Sequence, residues 1–254
     1  MATYKKRGYK PKTKAEKQDH IEDESTTAEV FSTLDEGASR TEAWVEKNQK
    51  LILILVVAVA VSVLGYLGFQ QFIQEPKETE AMNEMFQAQS YYEQALAATS
   101  KDSLFILSLE GGNGKFGFVE IIENYGGTNA ANLANYYAGI AYLNTGNYQE
   151  AISHLDDFKA DDETVAPLAK GAIGDAFAQL NQSEDALKYY ESAVALSTSE
   201  VTTPRFLLKA GITALNLGKT DVALKHFKAI TDNYPKSPEA SKATIYEGKA
   251  EAMQ

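Results

Sequence analysis

A chain of 254 residues without a single cysteine can hold no disulfide, no cysteine nucleophile and no lipid-modified N-terminal cysteine. Its 24 Lys and Arg against 35 Asp and Glu leave a net charge of −11 at pH 7. Where that charge falls, beyond residue 73, it argues against a nucleic-acid ligand and against adhesion to anionic lipid.

Residues 1–40 are poor in apolar periodicity and rich in Lys, Glu, Asp, Thr and Ser. Such a segment buries too little apolar area to offset the entropy of ordering, so it is expected to be a disordered tail. Its basic run from Lys5 to Lys17 reads either as a solvated end or as a segment lying on an anionic cytoplasmic leaflet. Val30, Phe31, Leu34, Trp44 and Val45 suit a short amphipathic helix from about residue 27, lying on the membrane or on a partner, and 41–50 is the juxtamembrane segment.

From Leu51 to Ile73 no charged residue occurs. A helix rises 1.5 Å per residue, so about 20 apolar residues cross the hydrocarbon of a bilayer, and the absence of a polar face argues against a core helix. Residues 51–73 are therefore predicted to be one transmembrane helix. The run is longer than a secretory signal and has no A-x-A border, which favours a retained anchor. Arg40, Lys47 and Lys50 precede it closely, and only Lys77 follows within the same distance. The positive-inside rule then leaves the N-terminus cytoplasmic and sends the remainder across the membrane. Ten basic and ten acidic residues precede the run, so the whole −11 lies on the exported part.

Residues 78–130 read as an irregular N-terminal helical unit: a helix over 80–98 carrying Met82, Met85, Phe86, Tyr92 and Leu96, then pieces at 103–109 and 116–125. Between the last two, EGGNGKFG has glycines but not a phosphate loop. Counting back from Gly114-Lys115 finds Leu109 where glycine is needed, and Phe116 stands where Ser or Thr is needed. A flexible turn is the expectation.

A spaced pattern then appears three times. Ala138-Gly139, Tyr142, Gly146, Tyr148, Ala151, Leu155 and Phe158 form the first instance. Ala172-Ile173-Gly174, Phe177, the turn at Asn181 to Ser183, Ala186, Tyr190 and Ala193 follow 35 residues later. Ala210-Gly211, Ala214, Gly218, Ala223, Phe227, Ile230 and Pro235 repeat it after a 37-residue step. Small residues let paired helices approach while aromatic and large apolar residues fill the space around them. The repeats are placed at 132–165, 167–200 and 204–237, with a capping helix at 238–254 that has Ser237 as N-cap and Pro238 in its first turn. His154 and His226 sit three residues after Ala151 and Ala223, with Tyr189 at the matching place of the middle repeat. No H-E-x-x-H, no thiol and no histidine–serine pairing points to an enzyme or a bound cofactor or metal.

The three patterns resemble the tetratricopeptide repeat (TPR). The expected fold class is all-α, with one transmembrane helix followed by a TPR-like α-solenoid. The resemblance implies a protein-binding groove on the first helix of each repeat. Its positions here are Leu133, Tyr136, Ile140, Leu143 and Asn144, then Leu168, Gly171, Asp175, Ala178 and Gln179, then Arg205, Leu208, Ile212, Leu215 and Asn216. These are mainly apolar with one amide per repeat, and Arg205 is the one cation, so the family's clamp for C-terminal carboxylates is not matched. The apolar positions either line a groove for an apolar segment or pack against neighbouring helices. The stretch from Gly114 to Thr128, followed by ANLANYYAG, resembles envelope TPR proteins of the Bacteroidota. The whole layout resembles the ancillary subunit of the bacterial SecYEG translocon. That resemblance implies an inner-membrane protein with a periplasmic domain. It would be an accessory of the Sec translocon, acting with a membrane-anchored periplasmic chaperone or prolyl isomerase on exported proteins. A scaffold subunit of another envelope machine (secretion, division or polysaccharide assembly) is the alternative.

Overall fold

The computed structural model describes residues 14–160 and 164–254, with side chains from residue 42 onward. The chain divides into two units, 1–69 and 70–254. The described residues form helices joined by turns and loops, without a strand.

The described residues of the first unit form one helix, α1, Lys14–Phe69. Residues 51–69 are exposed all along it apart from two half-exposed positions. The segment reaches a mean hydropathy of 2.8 with none of its window buried in the protein, so it is long and apolar enough to cross a membrane. Its one serine is satisfied within the helix, Ser62 Oγ donating to the Ala58 carbonyl at 2.8 Å. The tail differs from expectation. The backbone is helical from Lys14 on, where composition predicted disorder with a short amphipathic helix only from about residue 27. Lys, Glu, Gln and Ala are good helix formers, and a helix already nucleated in the apolar run extends at low cost, one hydrogen bond per residue. Residues 1–13 of the expected tail lie outside the described residues.

The second unit opens with a π-helical turn, Gln70–Gln74. Pro76 explains it: proline has no N–H for the carbonyl of Phe72 and its ring crowds that carbonyl, so the coil widens. Helix α2, Glu75–Ala97, follows, then α3, Asp102–Glu110, and α4, Phe118–Asn124. The EGGNGKFG turn is held rather than loose. Gly112 and Lys115 exchange backbone hydrogen bonds at 3.2 and 3.1 Å. Asn113 Nδ2 donates to the Tyr91 hydroxyl at 2.8 Å, and Lys115 pairs with Glu84 at 3.3 Å.

Three helical hairpins come next. They are α5, Asn129–Asn144, with α6, Tyr148–Asp157; α7, Val165–Gln179, with α8, Ser183–Leu196; and α9, Thr202–Asn216, with α10, Thr220–Asn233. Each hairpin turns the same way. Gly146, Asn181 and Gly218 take φ of 81°, 59° and 74°, the left-handed region that ends a helix. The next N–H reaches back five residues in all three, Asn147 to Tyr142, Gln182 to Phe177 and Lys219 to Ala214, each at 2.9 Å. These are Schellman caps, and they satisfy carbonyls that each helix end would otherwise orphan.

Within each hairpin a glycine faces one large side chain. A Cβ added at Gly139 would strike Leu155, at Gly174 it would strike Tyr190, and at Gly211 it would strike Phe227. Hydrogen at these positions is what lets the two helices touch. The core is accordingly a series of small clusters. One joins α2, α3 and α4 to α5 around Phe105, Phe118 and Ile121. The second links the first hairpin to the second through Leu155 and Ile173. The third runs from α8 to the last helix, α11, Ala240–Glu251, around Phe206 and Phe227. This is the nearest-neighbour packing of a solenoid. Helix α11 begins later than expected: Ser237 and Pro238 form a preceding turn, closed by the Ala240 N–H donating to the Ser237 carbonyl at 3.1 Å, and Glu239 holds the N-cap position.

Candidate protein-binding surface

The first helices of the hairpins, α5, α7 and α9, carry all the predicted groove positions. The structure sorts them into two groups. Leu208 and Leu215 are 9 % and 4 % exposed and belong to the core. Leu133, Tyr136, Ile140, Leu143, Leu168 and Ile212 are half-buried and packed against the clusters, Ile140 against two of them. Tyr136 stacks obliquely on Phe158 at 5.2 Å and meets Tyr137 edge-on at 5.8 Å. Gly171 is buried against the Phe206 ring. What stays exposed is Asn144, Ala178, Gln179, Arg205 and Asn216. Of the two readings of the apolar positions, their burial favours packing against neighbouring helices. Ala- and Gly-rich helices approach so closely that the next hairpin covers the apolar positions, leaving a face of amides and one guanidinium. Asn144 spends one donor on its own helix, Nδ2 to the Ile140 carbonyl at 2.8 Å.

Asp175 does not stand free on this face. Its Oδ2 lies 2.7 Å from Lys209 Nζ of the following hairpin, and its Oδ1 accepts the Tyr190 hydroxyl at 2.7 Å. Burial, reinforced by the Asp175 charge, pushes the Tyr190 phenol well above its ordinary range, so it remains a donor at any physiological pH. Similar ties join other hairpins: Lys170 to Asp156 at 3.2 Å, Lys219 to Glu184, and His226 Nε2 to Glu191 at 3.0 Å. Asp175 and Lys209 are 34 residues apart, one repeat, and that spacing was the signal by which the pair could have been found.

The histidines do not share a role. His226 bridges to the preceding hairpin, whereas His154 stays within its own, with Nδ1 at 2.9 Å from Asn135 Oδ1 and its ring stacked on Tyr142 at 5.3 Å. Burial lowers the His154 pKa, against the opposing pull of Asp157 and Glu150. A histidine kept neutral in the fold but free to charge when unfolded costs stability as pH falls, because the unfolded chain binds the proton first. The loss begins as pH drops through the unfolded value near about 6.5 and ends below the lowered folded value. In thermal unfolding at pH 7.5 and 5.5, His154→Gln is expected to lose less stability across that interval than the natural chain.

A second feature went unread in the sequence. Gln74 and the first turn of α2 grip the loop before α5. Gln74 Nε2 donates to the Gly127 carbonyl at 2.8 Å, and Lys77 Nζ donates to that of Gly126 at 3.0 Å. Glu78 accepts the N–H groups of Asn129 and Ala130 at 2.6 and 2.8 Å, while Thr128 Oγ1 accepts that of Ala131 at 3.0 Å. Glu78 thus caps a helix that begins 51 residues later, placing a carboxylate at the positive end of its dipole.

Two family models match the chain, both described as tetratricopeptide repeat, over residues 136–201 and 206–237. None of the curated proteins matches it. The first match spans the α5–α6 and α7–α8 hairpins from Tyr136 and the second spans α9–α10, so the glycine contacts and the Schellman caps fall inside them. Across 136–201 and 206–237, the chain carries tetratricopeptide repeats.

Proposed function

We propose that this protein is a single-span inner-membrane anchor for a periplasmic TPR domain, serving as an accessory of the Sec translocon. In this reading the N-terminus is cytoplasmic. The repeats work beside a membrane-anchored periplasmic chaperone or prolyl isomerase on chains leaving the channel. The supporting observation is the pairing of an uncharged run, exposed along its length, with stacked protein-interaction repeats in one chain. The proposed contact face is the exposed set Asn144, Gln179, Arg205 and Asn216, whose amides and guanidinium suit the backbone of an extended polypeptide. TPR repeats bind proteins, and the role is non-enzymatic. Purification of the tagged chain in mild detergent, with mass spectrometry of what accompanies it, tests the reading. Sec subunits together with a periplasmic folding factor are expected; their absence, with subunits of another envelope complex in their place, would overturn it.

A further inference from the structure

The two ends of the solenoid are finished differently. At the C-terminal end, α11 shows solvent mostly polar side chains, with Ile245 the one large apolar exception. A solenoid needs such polar ends to stay soluble. At the other end α2 buries Ala81, Met85, Ala88, Tyr92 and Ala95 in the fold, yet exposes a second stripe. Met82 is 46 % exposed, Phe86 70 % and Leu96 53 %. With Gln89 and Glu93 they follow steps of four, three, four and three residues, the spacing by which one helix lays a seam against another.

Charge decides what fits this seam. Helix α2 carries Glu75, Glu78, Glu80, Glu84 and Glu93 against Lys77 alone. Lys77 is turned to the Gly126 carbonyl, and Glu93, within the stripe, makes no ion pair among the described residues. An anionic bilayer surface is repelled by such a helix. A second copy paired in parallel along the stripe would place Glu93 against Glu93, and like charges facing across a seam oppose pairing.

We infer that the exposed α2 stripe is a docking site for a basic amphipathic helix of a partner protein. Its apolar side chains would cover Met82, Phe86 and Leu96, and a Lys or Arg would meet Glu93. The site lies on a different helix from the amide-and-arginine face, so it stands or falls independently of which complex the protein joins.

The test uses the full chain in nanodiscs of neutral phosphatidylcholine and a labelled synthetic helix with leucines spaced three and four apart, flanked by lysines. A second probe carries glutamates in place of the lysines. Fluorescence polarisation should show binding of the lysine probe and not of the glutamate probe. Phe86→Asp should weaken binding about tenfold or more while leaving helicity and Tm unchanged, since the ring is mostly in solvent. Glu93→Lys should weaken the lysine probe and admit the glutamate probe. Equal binding of both probes, or binding indifferent to Phe86→Asp and Met82→Asp, would overturn the inference. Self-association of the natural chain abolished by Phe86→Asp would overturn it too, assigning the stripe to a second copy.

Discussion

Alanine at Phe118 is expected to release the N-terminal unit from the repeats while leaving the far end of the solenoid folded. Helix α4 has only seven residues and is far too short to persist alone. It is held by Phe118 and Ile121, both fully buried. The Phe118 ring stacks on Tyr137 of α5 at 5.3 Å and meets Tyr92 of α2 edge-on at 6.2 Å, so one side chain joins three helices. Truncating a buried phenylalanine costs about 3–5 kcal/mol, lost transfer energy plus the cavity left behind. In a globular core that loss is shared by the whole molecule. Here the clusters are strung in series, and the one around Phe118 does not include α8 to α11. Hydrogen exchange should therefore show protection falling in α2 to α5 and persisting in α9 to α11. A uniform loss across all helices would mean the unit folds as one block.

Gly211→Ala should cost about 1–3 kcal/mol, a penalty of overpacking rather than of cavity formation. The added methyl would strike the Phe227 ring, which is fully buried and cannot swing away. Phe227→Leu in the same chain should recover part of the loss, because the smaller side chain yields the space. Gly248→Ala is the informative contrast: it lies in α11 with nothing within 4 Å of a new Cβ. Alanine there should raise stability by about 0.5–1 kcal/mol through helix propensity alone. Thermal unfolding of the three variants separates the effects. Equal Tm for Gly211→Ala and the natural chain would show that the α9–α10 contact is looser than the structure has it.

The repeats and the apolar run were legible because both signals are local. A run without charge needs no partner to be read, and a glycine facing a large residue one helix later recurs every 35 or 37 residues. The contact face was less legible because exposure is decided by the neighbouring hairpin. Leu208 and Leu215 have the residue type and spacing of groove positions, and only the approach of adjacent helices shows that they are core. Glu78 capping Asn129 and Ala130 could not be read at all, since nothing periodic links residues so far apart. A short helix was legible from about residue 27, but the helical backbone before it went unread because charge-rich composition signals disorder and good helix propensity at once.

The absence of natural cysteine makes the central claim, a repeat domain set beyond the membrane by one span, open to a direct measurement. Single cysteines introduced by Ala2→Cys and by Ser241→Cys, the latter at an exposed position of α11, are offered to a membrane-impermeant maleimide on intact spheroplasts. Ser241→Cys is predicted to label at once, and Ala2→Cys only after the membrane is opened. Labelling of Ala2→Cys with protection of Ser241→Cys, or labelling of both on sealed cells, would contradict the account.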